Sequence, residues 1–105
     1  SGLQYEVLQS GSGETHPTAS STVRVHYHGT LTDGTVFDSS VERGETISFP
    51  LNRVIPGWTE GVQLMKVGDK FRFYIPSNLG YGNRSAGKIP AGSTLIFDVE
   101  LFEIQ

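Results

Sequence analysis

Cysteine is absent from the 105 residues, so this stretch holds no disulfide framework, no thiol nucleophile and no cysteine-based zinc site. No apolar run approaches the roughly 20 residues that a spanning helix requires, so no membrane partner is expected for this segment. Positive charge is scarce as well, with 8 Lys and Arg against 11 Asp and Glu and a net charge of −3. A domain that binds nucleic acid through phosphates wants a basic face, and this balance argues against it. Charged residues make up only 18% and hydrophobic residues 36%, too little charge and too much apolar material for disorder. There is no basic apolar leader, and the first residue is Ser1 rather than Met, as expected of a processed form or an excised fragment.

What is present fits one domain, residues 1–105, long enough to bury roughly 65% of its unfolded surface. The 13 Gly and 5 Pro spread along the chain point to many turns and short strands. Leu3, Tyr5 and Val7 alternate with polar residues as a first strand, followed by a polar loop from Ser10 to Ser21. That Gly/Ser stretch reads as an internal loop rather than a linker, because a lone strand before it would lack partners. Val23, Val25, Tyr27 and Leu31 share one face of the next strand, and Arg24, His26, His28 and Thr30 the other. Asp33-Gly34 signals a two-residue hairpin turn, returning through Val36, Phe37 and Asp38. A shorter strand follows from Ile47 to about Pro50.

One helix is expected, from about Gly57 to Met65, because Trp58, Gly61, Val62 and Met65 fall at i, i+3, i+4 and i+7. Pro56 suits its start and Gly68 its stop, and Gly61 in the buried stripe lets a sheet come close. Phe71, Phe73 and Ile75 form a strand stopped by Pro76, and a Gly-rich loop runs from Leu79 to Gly92. Leu95, Phe97, Val99 and Leu101 form the last strand, after which the apolar phase shifts to Phe102 and Ile104 through a bulge or an end of pairing. The expected fold class is α+β, an antiparallel twisted sheet of five to six strands wrapped on one short amphipathic helix.

Several motifs fail on inspection. Gly82 to Lys88 has phosphate-loop spacing, but Ile89 and Pro90 follow where a Ser or Thr is required, and a strand follows where a helix is required. His26 and His28 share a strand face, yet a third metal ligand would have to be His16 or a distant carboxylate; two half-exposed histidines are the plainer reading. Asn83-Arg84-Ser85 is a glycosylation triplet of a kind that arises often by chance. What remains is aromatic: Tyr27, Phe37, Trp58, Tyr81 and Phe97, with Val54 and Ile55, suit either a plain core or a concave apolar ligand site.

At these residues the chain resembles the FKBP family, the macrolide-binding peptidyl-prolyl cis-trans isomerases. Val23-Arg-Val-His-Tyr-His-Gly29, Asp33-Gly-Thr-Val-Phe-Asp-Ser-Ser40, Val54-Ile-Pro-Gly-Trp-Thr-Glu-Gly61, Tyr81-Gly82, Ile89-Pro90 and Leu95-Ile-Phe-Asp-Val-Glu-Leu101 stand in family order. Gly2-Leu-Gln-Tyr5 and the Val-Ile-Pro-Gly-Trp form are similar to the bacterial macrophage infectivity potentiator branch. In that branch a helical dimerisation segment precedes the isomerase domain, so the resemblance implies an isolated catalytic module, monomeric as given and dimeric through the segment it lacks. It implies the bacterial cytoplasm or periplasm as compartment, or the cell surface.

The resemblance further implies rotation of X-Pro bonds in proline-containing polypeptides, in aid of folding, with no cofactor and no metal. Rapamycin and tacrolimus are the implied inhibitors. A non-catalytic module that holds proline segments or macrolides is the alternative within the same family, and the presence of Trp58 and Asp38 favours activity. Tyr27, Phe37, Val54, Ile55, Trp58, Tyr81, Ile89 and Phe97 are expected to line the proline pocket, with Trp58 as its floor. Asp38 is expected at the rim, held by Tyr27 and Arg43, with the Tyr81 hydroxyl and the Ile55 amide donating to substrate carbonyls. Ile47 stands where many members have a pocket aromatic, which implies a wider wall. Gly80 in place of alanine implies a looser loop, and Asn83 to Lys88 is one residue short of the eukaryotic form and lacks its histidine.

Overall fold

The computed structural model describes residues 1–105. The strands are β1 (Gln4–Gln9), β2 (Thr22–Leu31), β3 (Val36–Ser39), β4 (Ile47–Pro50), β5 (Lys70–Ile75) and β6 (Leu95–Ile104); the helices are α1 (Ser40–Arg43) and α2 (Pro56–Val62). All pairings are antiparallel, in the order β1-β5-β6-β2-β3, and β4 also pairs with β2. The expected α+β architecture holds, with six strands.

The sheet forms where alternation is strictest. In β2, β5 and β6 every second residue is buried, which sends Val23, Val25, Tyr27, Phe71, Phe73, Ile75, Leu95, Phe97, Val99 and Leu101 into one core. α2 lays Trp58, Val62 and the following Met65 against that face, all of them buried. The opposite face is polar and cross-linked, for example by Arg72, which donates to both carboxylate oxygens of Asp98 at 2.7 and 3.1 Å. The phase shift near the end of β6 is a bulge: Arg24 pairs with Glu103 and Val25 with Leu101, which leaves Phe102 as the extra residue.

Four expectations about local structure are corrected. The Asp33-Gly34 hairpin has a three-residue loop: Leu31 N–H donates to Thr35 O, Gly34 N–H donates to Leu31 O, and Gly34 takes φ 91°. The Asp33 side chain accepts from Thr35 N–H at 2.9 Å and fixes this wider turn. The α-helical part of the expected helix ends at Val62, because the following N–H groups of Leu64 and Met65 bond three residues back, to Gly61 and Val62. Gly68, at φ 94°, closes the next turn instead of the helix. A second helix, α1, exists because the Ser39 hydroxyl accepts from Glu42 N–H at its start and Gly44 takes φ 77° at its end.

The helix meets the sheet at a glycine. A Cβ on Gly61 would lie 2.7 Å from Cε1 of Phe73, a ring with no exposure at all. Gly61→Ala is therefore expected to destabilise by about 1–2 kcal/mol, because overpacking a filled core outweighs the ~1 kcal/mol gain in helix propensity. Urea unfolding checks it; wild-type stability would mean that α2 has room to move off Phe73.

Candidate functional site

One edge of β2 pairs with β6 along nearly its whole length, but the other edge is divided. β3 takes His28 to Thr30 and β4 takes Thr22 to Val25. Between them the chain leaves the sheet as α1, so no strand faces Tyr27 on that side. The buried Ser40 hydroxyl fills the gap, accepting from Tyr27 N–H at 2.7 Å and lying 3.3 Å from Tyr27 O. From the polar face of the sheet, His26 Nδ1 and His28 Nδ1 reach the hydroxyls of Ser40 and Ser39, each at 2.8 Å. His16 is engaged elsewhere, with Nδ1 3.0 Å from Met65 O.

This excursion sets Asp38 opposite Tyr27. The Tyr27 hydroxyl donates to Asp38 Oδ2 at 2.6 Å, and Arg43, one helical turn on, donates to Asp38 Oδ1 at 2.5 Å and to the Tyr27 oxygen at 3.1 Å. Burial at this rim works against ionisation of Asp38. The hydrogen bonds from Tyr27 and Arg43 and the guanidinium charge outweigh it and hold the carboxyl below its ordinary 3.8. Burial first, and then the bond to Asp38, push the Tyr27 phenol above its ordinary 10.0. Arg43, bonded to Tyr27 and Asp38, stays a cation throughout.

Beside this network Trp58 presents its indole from the start of α2, with only 4% exposed. Three rings stand edge-to-face with it: Tyr27 at 5.4 Å, Phe49 at 5.6 Å and Phe97 at 5.3 Å between centroids. Together they border a cavity of about 440 Å³ lined by Tyr27, Asp38, Phe49, Arg53, Val54, Ile55, Trp58, Tyr81 and Phe97. Its volume falls in the range of small-ligand sites, and its lining is aromatic and aliphatic with one carboxylate, Asp38, and one arginine, Arg53.

Most of the residues singled out in the sequence converge here: Tyr27, Asp38, Val54, Ile55, Trp58, Tyr81 and Phe97 all line the cavity. Phe37 does not; it packs edge-on behind Phe97 at 5.3 Å, where Gly29 leaves space for both rings. Arg43 acts from outside the cavity through Asp38, and its guanidinium lies 5.8 Å from the Tyr27 ring centre. Ile89 is 4% exposed in the core and pairs with Ala86 through two backbone hydrogen bonds, which braces the loop behind Tyr81. That loop is also tied by Gly82 N–H to Ser77 O at 2.7 Å and Gly92 N–H to Gly82 O at 2.8 Å, a firmer frame than Gly80 suggested.

Two lining residues were missed, Phe49 and Arg53. The wider wall expected at Ile47 is not there: Ile47 packs against the core, and Phe49, on the same face of β4, brings its ring to Trp58. The alternation of Ile47 and Phe49 was the available signal. A lone arginine after Asn52 carried none.

The sequence profile of the FKBP-type peptidyl-prolyl cis-trans isomerases matches residues 13–102. The chain belongs to this family. It is 64% identical to the FKBP-type peptidyl-prolyl cis-trans isomerase FkpA of Aeromonas hydrophila over 100% of its own length and 39% of that protein's. It is 57% identical to the FKBP-type 22 kDa isomerase of Escherichia coli K12, over 99% of the chain and 50% of that protein. The chain thus spans half or less of the length of these curated relatives. Among solved structures, FkpA of Escherichia coli superposes with a TM-score of 0.93 at 51% identity, covering 99% of this chain and 48% of that one. AtFKBP13 superposes at 0.91 with 34% identity, covering 99% of this chain and 94% of that one.

Two measurements test the geometry of this FKBP-type site. Trp58→Ala is expected to cost about 3–5 kcal/mol on chemical unfolding, since it removes a buried ring that three others lean on; a cost below ~1 kcal/mol would mean that the indole is not held there. Carbon-detected NMR titration of Asp38 is expected to give a midpoint below 3.8, moving upward in Arg43→Gln. A depressed pKa contributes stability above the unfolded value that is lost as pH falls through the folded one. The stability gap between wild type and Arg43→Gln is therefore present at neutral pH and closes below about pH 4.

Proposed function

We propose that residues 1–105 act as one isomerase domain and that the cavity over Trp58 is where the proline ring is held. An X-Pro amide crosses a barrier of roughly 18–20 kcal/mol without help, because rotation breaks its conjugation. The planar amide is the more charge-separated form, so a dry aromatic wall disfavours it relative to the twisted one. With the proline ring against Trp58, Tyr27 and Phe97, rotation falls on the flanking amide at the cavity mouth. Tyr81 and the Ile55 amide donate to neighbouring carbonyls and fix the rest of the chain, while Asp38 orients and polarises the twisting bond. None of these roles needs bond making or proton transfer.

The observation that carries this proposal is the indole of Trp58, ringed by three aromatic edges, facing a cavity with one ionised carboxylate at its rim. Proline-containing polypeptides are the proposed substrates and folding assistance the proposed role. Rapamycin or tacrolimus would compete for the same walls. In a longer protein, a helical N-terminal segment would join two such domains.

Cis/trans exchange of a short Leu-Pro peptide, followed by NMR, tests the proposal. The expected result is catalysis abolished by rapamycin and reduced at least tenfold in Asp38→Leu, about 1.4 kcal/mol of transition-state stabilisation, with the fold kept. Catalysis that persists with rapamycin bound would separate the macrolide site from the proline site. Absence of catalysis in folded protein would leave a module that binds proline segments without turning them over.

A further inference from the structure

Arg53 lies in the 3₁₀ turn Leu51–Arg53, immediately before Val54 and Ile55, and is one of the residues that line the cavity. The chain forms three ion pairs, Arg24–Glu103, Arg43–Asp38 and Arg72–Asp98, and Arg53 is in none of them. The one carboxylate on the cavity wall, Asp38, already accepts from Tyr27 and Arg43. The wall therefore carries a cation with no counter-charge, in a chain whose net charge is −3.

The surrounding sequence repeats the bias. Residues 46–59, which bring Phe49, Arg53, Val54, Ile55 and Trp58 to the cavity, contain no Asp or Glu. Nor do residues 76–97, which bring Tyr81 and Phe97 and carry Arg84 and Lys88 outside any ion pair. The acidic residues that make the chain negative lie outside both segments.

We infer that Arg53 is a specificity-determining residue that favours proline segments flanked by an acidic side chain. The inference rests on the cavity being the proline site. A proline seated against Trp58 has its neighbouring residues at the mouth, and the only free charge on the wall there is the Arg53 guanidinium. An Asp or Glu beside the proline would meet it without losing water completely, an exposed pairing worth about twofold to fivefold in turnover. Being exposed, the effect weakens as salt shortens the screening length from about 10 Å at 0.1 M to about 3 Å at 1 M.

The experiment compares peptide pairs that differ only in Glu against Gln, placed in turn at the two positions before and the two after proline. kcat/KM is measured by NMR exchange for wild type, Arg53→Gln and Arg53→Glu. The Glu/Gln ratio cancels any general loss of activity in a variant. At low ionic strength the ratio is expected to fall about twofold to fivefold in Arg53→Gln at one or more positions, further in Arg53→Glu, and the differences should shrink at high salt. Equal ratios in the three proteins at every position, with a Leu-Pro peptide still turned over, would overturn this inference and leave the proline site standing. Failure of folded wild type to catalyse any peptide would overturn both.

Discussion

The site depends on how the backbone of Tyr27 is satisfied. Its N–H and carbonyl face a stretch of sheet edge where neither β3 nor β4 is present, and a buried donor left without an acceptor costs about 1–3 kcal/mol. The Ser40 hydroxyl supplies what a strand would have supplied, accepting from the N–H at 2.7 Å. Because one side chain does this, the main chain is free to leave the sheet for the single turn of α1. That departure sets Asp38 across from the Tyr27 hydroxyl and brings Arg43 back over both. A continuous strand would have kept the ladder and carried these two side chains elsewhere.

The aromatic lining relies on a different constraint, the close approach of backbone to ring. Gly29 leaves room for Phe37 and Phe97 to meet at 5.3 Å, and Gly61 lets α2 settle on Phe73. With the helix seated, Pro56 and the following turn fix where Trp58 emerges. The three rings around the indole stand edge-on, the arrangement that aromatic quadrupoles prefer. They also hold one another upright, which keeps the cavity from closing. A cavity built this way gives up little side-chain freedom when a ligand enters.

Much of this is legible in the residues. Strict alternation fixes β2, β5 and β6, the i, i+3, i+4 spacing fixes the buried side of α2, and the change of phase at Phe102 signals a bulge or an end of pairing, of which the structure takes the bulge. What cannot be read from one position at a time is what depends on two distant ones. α1 needs the Ser39 cap and Gly44, but its reason is the vacant edge opposite Tyr27, a property of β2. Ile47 looked like a gap in the aromatic wall until β4 paired with β2 and brought Phe49 to Trp58. Arg53 carries no signal in its own neighbourhood, because its meaning comes from the acids that fail to meet it in space.

The electrostatics divide along the two faces of the sheet. On the polar face, side chains of opposite sign sit in cross-strand register, with Glu6 opposite Arg72 and Arg72 opposite Asp98, so the charges neutralise one another locally. On the cavity side the same economy is applied once, to Asp38, whose carboxylate is kept ionised by two donors. Asp38 therefore keeps one charge state across the neutral range, as does Arg43, and rotation of an amide asks for no proton transfer from either. The proposed proline site would take its catalytic power from shape and from exclusion of water, and would have little chemistry left with which to choose among substrates. On that proposal selection would fall to whatever unbalanced charge stands at the mouth, and among the residues that line the cavity the one charged residue outside the ion pairs is Arg53.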